Sequence, residues 1–177
     1  EKEEWEDDMR FAKFLMVSAV AALGVAATAP ALEDRVLEFP ADYKTTFDNY
    51  MIADRLQAEE QVISMFANDV ARAAARKGET LPDGSVLLAE LYAAKKDADG
   101  NVVESPLGRR IPDKLLAVVV MERRAEWAEQ YPDELKLGGW EFEVFSPDGK
   151  NLAKDTTACR ECHAPLGDTD FLFSISH

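Results

Sequence analysis

Residues 81–92 read LPDGSVLLAELY, a tight turn followed at once by an apolar run. The Pro-Asp-Gly sequence favours a turn, because proline presets φ and glycine tolerates the positive φ that many turns require. The residues after the turn are mainly apolar or aromatic, which predicts a β-strand over 85–92.

Similar apolar runs on both sides of this stretch predict further strands. They cover residues 43–50, 61–66, 115–121 and 139–145. A helix is predicted over 69–77, because Asn68 suits an N-cap and Gly78 suits the C-terminal end. Strands joined by tight turns pair antiparallel, so the fold is predicted as α+β, an antiparallel β-sheet domain with a few helices.

The most informative motif is Cys159-Arg160-Glu161-Cys162-His163, near the C-terminus. C-x-x-C-H is the attachment signature of a c-type haem. Each cysteine sulfur can add to one haem vinyl group, and the histidine can ligate the iron as the proximal ligand. We therefore predict one covalently attached haem c, held by Cys159, Cys162 and His163.

A zinc site and a redox dithiol are the alternatives for this motif. The sequence has two cysteines and one other histidine, His177, so a zinc site would lack ready ligands. A thioredoxin-like dithiol usually opens a helix after a strand, whereas a polar segment precedes this motif. A disulfide between residues three apart would be strained. Haem attachment is the favoured interpretation.

The N-terminal region consists of an acidic tail, residues 1–9, and a hydrophobic segment, residues 10–32. Residues 14–32 carry no charge, and as a helix they would rise about 28 Å, close to the thickness of the bilayer hydrocarbon. Arg10 and Lys13 favour a cytoplasmic N-terminus. We expect an uncleaved membrane-anchoring helix, with a cleaved secretory signal as the alternative.

Residues 33–177 are predicted to form one haem-binding cytochrome domain. With either N-terminal interpretation this domain lies in the periplasm, the compartment where c-type haem is attached. The net charge of −14 argues against nucleic acid as a partner, because phosphates would repel it. Residues 1–8 account for −5 of this charge, so the rest of the chain is also acidic.

Five segments together resemble the cytochrome P460 family. They read FPADY at 39–43, LPDGSV at 81–86, GWEF at 139–142, CRECHAP at 159–165 and TDFLFS at 169–174. The resemblance implies a mostly antiparallel β domain, often dimeric, with one c-type haem whose distal side is open or loosely occupied. Typical members oxidise hydroxylamine with a haem that is cross-linked to a lysine. A β-rich sibling, cytochrome c′-beta, lacks this bond and binds nitric oxide beside distal phenylalanines.

The resemblance places the cross-linking lysine in the strand after the Pro-Asp-Gly turn. Ala89 occupies that position here, and Lys95 and Lys96 lie too far along the chain without a register shift. This difference argues against hydroxylamine oxidation. We expect a non-enzymatic cytochrome, with a hydroxylamine oxidoreductase-like activity as the enzymatic alternative.

The sequence does not decide which residue, if any, ligates the haem iron on the distal side. An apolar pocket without a protein ligand is the main expectation, and Met65 or Met121 is the candidate sixth ligand, ahead of Met51 and His177. Candidate pocket residues are Phe47, Phe66, Phe142 and Phe145, with Glu141 or Glu143 as a proton relay. Candidate partners of the haem propionates are Arg109, Arg110, Arg123 and Arg124.

Three functions follow as hypotheses. The first is a membrane-anchored periplasmic cytochrome that transfers electrons or serves as an accessory subunit of a membrane redox complex. The second is a haem protein that binds nitric oxide or another small gas, or oxidises hydroxylamine. The third is a structural subunit whose anchor packs on partner helices. A homodimer is compatible with each of them.

Overall fold

The computed structural model describes residues 37–173, apart from the side chains of residues 128–130. The predicted acidic tail at 1–9 and the predicted hydrophobic helix at 10–32 lie outside the described residues, as does His177. Among residues 37–173, no helix is both long enough and apolar enough to cross a membrane.

The described domain is built on a five-stranded sheet in which each strand pairs antiparallel with the next. The strands are β1 (Asp48–Asp54), β2 (Gln61–Ala67), β3 (Val86–Ala94), β4 (Pro112–Arg123) and β5 (Trp140–Phe145). Their order across the sheet follows their order in the chain, so β1 and β5 form the two edges. This confirms the predicted antiparallel, β-rich architecture.

Within residues 37–173, three α-helices accompany the sheet, at Tyr43–Thr46 (α1), Asp69–Lys77 (α2) and Thr157–His163 (α3). Helix α2 has the predicted ends. The side chain of Asn68 accepts a hydrogen bond from the Ala71 N–H at 3.0 Å, and Gly78 closes the helix with φ +70°. Short 3-10 helices, which the sequence did not predict, occur at Ala125–Gln130, Asp133–Leu135 and Ala164–Thr169.

The predicted strand at 43–50 is wrong in its first half. The carbonyl of Asp42 accepts hydrogen bonds from the N–H groups of Thr45 and Thr46 at 2.9 and 3.1 Å. The two threonine hydroxyls donate to the same carbonyl. Threonine that bonds to a nearby carbonyl supports a helical turn instead of a strand, and β1 therefore begins only at Asp48.

One face of the sheet, which we call the Leu37 face, is covered by the chain that leads into β1. Its buried apolar residues are Leu37, Tyr43, Leu88, Val118, Val120 and Phe145. Glu90 is also buried there, and it accepts hydrogen bonds from the hydroxyls of Tyr43 at 2.6 Å and Tyr92 at 2.9 Å. These bonds satisfy a carboxylate that would otherwise be costly to bury.

The opposite face, which we call the α3 face, is only partly covered. Residues directly opposite each other in an antiparallel sheet point to the same side. One row of residues on this face belongs to a buried cluster that also includes residues of α2. The row consists of Ala67, Leu87, Met121 and Phe142. Cys159, Ala164 and Phe171 pack against this cluster.

The two rows that follow on the α3 face are apolar but only partly buried, and we call them the open rows. The first contains Met51, Met65, Ala89, Val119 and Val144, and the second contains Ala53, Ile63, Leu91 and Ala117. Adjacent rows lie about 7 Å apart along the strands. An apolar surface of this kind inside a small domain is a candidate binding surface.

Candidate functional site

Helix α3 carries the C-x-x-C-H motif and packs against the buried cluster of the α3 face, the face on which the open rows lie. Both cysteines are free thiols in the structure. Cys159 is half-buried and packs against the cluster under the α3 face, whereas Cys162 is exposed. Burial raises the pKa of the Cys159 thiol above its usual value.

The imidazole of His163 is held in one orientation. Its Nδ1 lies 2.7 Å from the carbonyl oxygen of Phe171. Because that oxygen can only accept a hydrogen bond, Nδ1 must carry the proton, and the lone pair of Nε2 is left for a ligand. The rings of Phe142 and Phe173 pack against the imidazole, with centroids at 5.1 and 5.0 Å. Burial lowers the pKa of His163, which favours the neutral form that binds metals.

A rigid turn presents the Phe171 carbonyl to His163. Asp170 accepts two hydrogen bonds from the Arg123 guanidinium, at 2.7 and 2.6 Å, and its carbonyl accepts one from the Trp140 indole at 3.1 Å. Asp170 and Phe171 both have left-handed backbone conformations, with φ +56° and +62°. Such conformations are costly for residues with a side chain, so the surrounding bonds are what maintain the turn.

Arg160, the first variable residue of the motif, anchors α3 to the sheet. It is 2% exposed and forms an ion pair with the buried Glu141. Its Nη1 also lies 3.3 Å from the carbonyl oxygens of Leu135 and Trp140. The guanidinium stacks over the Tyr131 ring, 3.5 Å from the centroid. Sequence analysis missed this residue, because the motif leaves the position free.

The arrangement fits a c-type haem. The Cys159 thiol, the imidazole with a free Nε2 and the open rows lie on one side of the sheet. Phe142, which contacts His163, lies two residues before Val144 of the first open row on β5. A planar apolar cofactor would therefore find an apolar surface next to its iron ligand.

The zinc alternative has no comparable support. Across the described part of the chain, no group of three or more His, Cys, Asp or Glu side chains is arranged to hold a metal ion. A structural zinc ion in proteins almost always takes four protein ligands. His177, the one other histidine that could complete such a site, lies outside the described residues.

The methionines predicted as distal ligands differ in how deeply they are buried. Met65 lies in the first open row, where its sulfur accepts a hydrogen bond from the Tyr50 hydroxyl at 3.6 Å. Met121 is buried in the row beneath the helices, with 9% exposure. Met51 lies opposite Met65 at the edge of the same open row. Of the two methionines predicted first, only Met65 faces the open rows.

The predicted phenylalanines and glutamates do not assemble into one pocket. Phe47, Phe66 and Phe145 pack on the Leu37 face, and Phe142 lies against the imidazole of His163. Glu143 pairs with Val120 and lies on the Leu37 face as well. Glu141 forms the ion pair with Arg160 and accepts the Tyr131 hydroxyl at 2.6 Å. The open rows are instead lined by aliphatic side chains and methionine.

The four predicted propionate-binding arginines already have partners in the protein. Arg109 pairs with Asp54 at 3.0 Å, and Arg124 pairs with Glu122 at 2.7 Å. Arg123 holds Asp170 as described above. Arg110 donates from one nitrogen to the carbonyls of residues 55, 58 and 61, each at 3.1 Å.

The predicted ligation of haem iron by His163 makes the Arg123–Asp170 contact testable. We expect Asp170→Ala to lower the free energy of unfolding by about 2 kcal/mol, because charged hydrogen bonds are lost in a partly buried site. In the ferrous haem protein, the iron–histidine stretching band should also shift, because the Phe171 carbonyl is released. Asp170→Asn keeps the shape and should have a smaller effect. An unchanged band in Asp170→Ala would contradict a positioning role.

Comparison with known proteins adds one match. The family model described as Cytochrome P460 matches residues 40–174. This range includes all five strands, the C-x-x-C-H helix and the turn at Asp170. No curated protein matches the chain.

Proposed function

The chain belongs to the cytochrome P460 family, and we propose that it is a monohaem c-type cytochrome whose iron binds small gas molecules such as nitric oxide. Cys159 and Cys162 would hold the haem through thioether bonds, and Nε2 of His163 would be the proximal ligand. The haem supplies an iron atom with a second coordination position for the gas.

The open rows are the observation that carries this proposal. Their nine residues are all apolar and only partly buried, and they lie on the same face as the motif helix. An apolar environment favours a neutral diatomic molecule over a charged one and offers it no hydrogen-bond donors. The same surface would exclude water from the bound gas.

The residue at position 89 supports binding over hydroxylamine oxidation. Ala89 lies in the first open row, between Met65 on β2 and Val119 on β4. A lysine at this position would face the haem, as the family's cross-linking residue does by resemblance. Alanine cannot form that bond, and no residue of the open rows is a lysine.

Absorption spectra test the proposal. The ferrous protein is expected to be high-spin and five-coordinate, and to take up carbon monoxide or nitric oxide with a clear spectral change. In Val119→Phe the larger side chain fills part of the first open row. It should slow carbon monoxide binding about tenfold or more, because a ligand then has to displace a bulky side chain that is costly to repack. Ile52→Phe, at an exposed position of β1 that pairs with Ser64, is the matched control and should change nothing.

Electron transfer is the second candidate function, and Met65 is the observation in its favour. A methionine as sixth ligand raises the haem potential and gives a low-spin iron that binds gas poorly. A low-spin ferrous spectrum that becomes high-spin in Met65→Ala would replace the gas-binding proposal with this one. Met121→Ala is the control, since Met121 belongs to the buried row.

The proposal includes a compartment. Because c-type haem is attached outside the cytoplasm, we place the domain in the periplasm, tethered by residues 10–32 or released after cleavage. Fractionation of cells that produce the full chain, followed by staining for covalent haem, would separate these two forms. Haem-bearing protein in the cytoplasm would contradict both.

A further inference from the structure

We propose that Arg55 binds a propionate of the haem and so sets the orientation in which the haem lies on the open rows. The inference rests on the proposed haem attachment. A haem is apolar except along the edge that carries its two carboxylates. If the macrocycle covers the open rows, these carboxylates must end beside polar or cationic groups, because burying them unpaired is costly.

Arg55 lies where the apolar surface ends. Asp54 pairs with Val62, so the next residues, Arg55 and Gln61, lie opposite each other at the end of the hairpin. The Arg55 N–H donates to the Gln61 carbonyl at 3.1 Å, which continues the pairing. By strand alternation both residues share the face of Ala53 and Ile63, one row beyond the open rows. Arg55 and Gln61 are therefore the first polar residues beyond the open rows on this hairpin.

The turn that carries Arg55 is held in place by Arg110. One guanidinium nitrogen of Arg110 donates to the carbonyls of Arg55, Ala58 and Gln61, each at 3.1 Å. Arg110 also donates its backbone N–H to Asp54 at 3.1 Å. A residue on such a clamped turn loses less conformational entropy when it binds a ligand.

The charge of Arg55 acts on the helix that carries the cysteines. Burial raises the pKa of the Cys159 thiol, and the positive charge of Arg55 is the largest opposing influence. Yet β1 and β5 are the two edges of the sheet, and α3 contacts β5 through Phe142 and Glu141. The charge of Arg55, at the end of β1, therefore reaches Cys159 on the helix that contacts the opposite edge strand.

The present partner of Arg55 can be replaced by a carboxylate. Its Nη1 donates to the neutral side-chain oxygen of Gln61 at 2.5 Å. Arg109, Arg123 and Arg124 already pair with carboxylates of the protein. A propionate at Arg55 would gain a charge-assisted, two-pronged contact without breaking an ion pair of the protein.

The midpoint potential of the haem protein tests this assignment. Arg55→Gln removes a positive charge next to the haem and should favour the ferric state. We expect the reduction equilibrium to fall three- to tenfold, about 30–60 mV for a one-electron couple. Arg55→Lys keeps the charge and should recover more than half of the shift. The Raman bending band of the propionates should move in Arg55→Gln and stay as in the wild-type protein in the control variant, Arg109→Gln.

Arg109→Gln is the matched control, because it removes the same charge from the neighbouring hairpin connection. Its potential should stay close to that of the wild-type protein. Equal shifts in Arg55→Gln and Arg109→Gln, with an unmoved propionate band, would overturn the Arg55 assignment and leave haem attachment intact. A denatured wild-type chain that does not stain for haem would overturn both.

Discussion

Replacing Arg160 with methionine is expected to lower the free energy of unfolding by about 3–5 kcal/mol, the loss seen when one partner of a buried ion pair is removed. The substitution leaves the carboxylate of Glu141 buried with 3% exposure and without its cation. It also removes the donors to the carbonyls of Leu135 and Trp140. Urea unfolding of the haem protein, followed by circular dichroism, measures the change.

Two further variants separate the lost charge from lost packing. Combining Arg160→Met with Glu141→Leu leaves no buried charge at this position and should recover much of the stability. Glu161→Met changes the neighbouring, exposed residue of the motif and should cost less than about 0.5 kcal/mol. Equal stabilities for Arg160→Met and Glu161→Met would show that the ion pair does not anchor α3.

Changing both cysteines to serine is expected to abolish covalent haem. A thioether can form only on a cysteine sulfur, so the denatured Cys159→Ser/Cys162→Ser chain should not stain for haem. A single substitution leaves one thioether, and its haem spectrum should shift to longer wavelength because one vinyl group remains unsaturated. Staining of the denatured double variant would contradict the assignment of the motif.

The double cysteine variant also needs a control for folding. Serine is close to cysteine in size, and of the two residues only Cys159 packs against the main cluster. The sheet should therefore form, and circular dichroism of the variant should show the strand content of the wild-type protein. A chain with intact strands and no haem separates the chemistry of attachment from the stability of the fold.

Local patterns were enough to predict much of this molecule. Residues 69–77 form the predicted helix with its predicted ends, because Asn68 and Gly78 act within one turn of the backbone. The strand after Pro82-Asp83-Gly84 forms for the same reason, since the turn fixes where it starts. The C-x-x-C-H motif is recognisable because its chemistry is contained in five consecutive residues.

The strand predicted over residues 43–50 is wrong in its first half for another local reason. Tyrosine and threonine are common in strands, and their presence predicted a strand. The carbonyl of Asp42 instead accepts hydrogen bonds from Thr45 and Thr46, and it turns the chain before β1. Strand preference depends on the surface against which side chains pack, which composition does not reveal.

The support of the site depends on contacts between residues far apart in sequence. Glu141 and Arg160 are 19 residues apart, and Arg123 and Asp170 are 47 apart. Neither pair belongs to a repeating sequence pattern, so neither could be predicted from the sequence. Strand pairing and helix docking bring the partners together, and full burial of one pair and partial burial of the other reduce screening by water.

The C-x-x-C-H motif and the antiparallel sheet that precedes it along the chain could both be predicted from the sequence, because adjacent residues specify turns, caps and cysteine spacing. The surroundings of that motif depend on how the strands pair and pack. Strand register put Ala89 and Val119 in the open rows and turned Phe66 and Phe145 to the Leu37 face. A shift of one residue would exchange the two faces, and only the packed sheet fixes that choice.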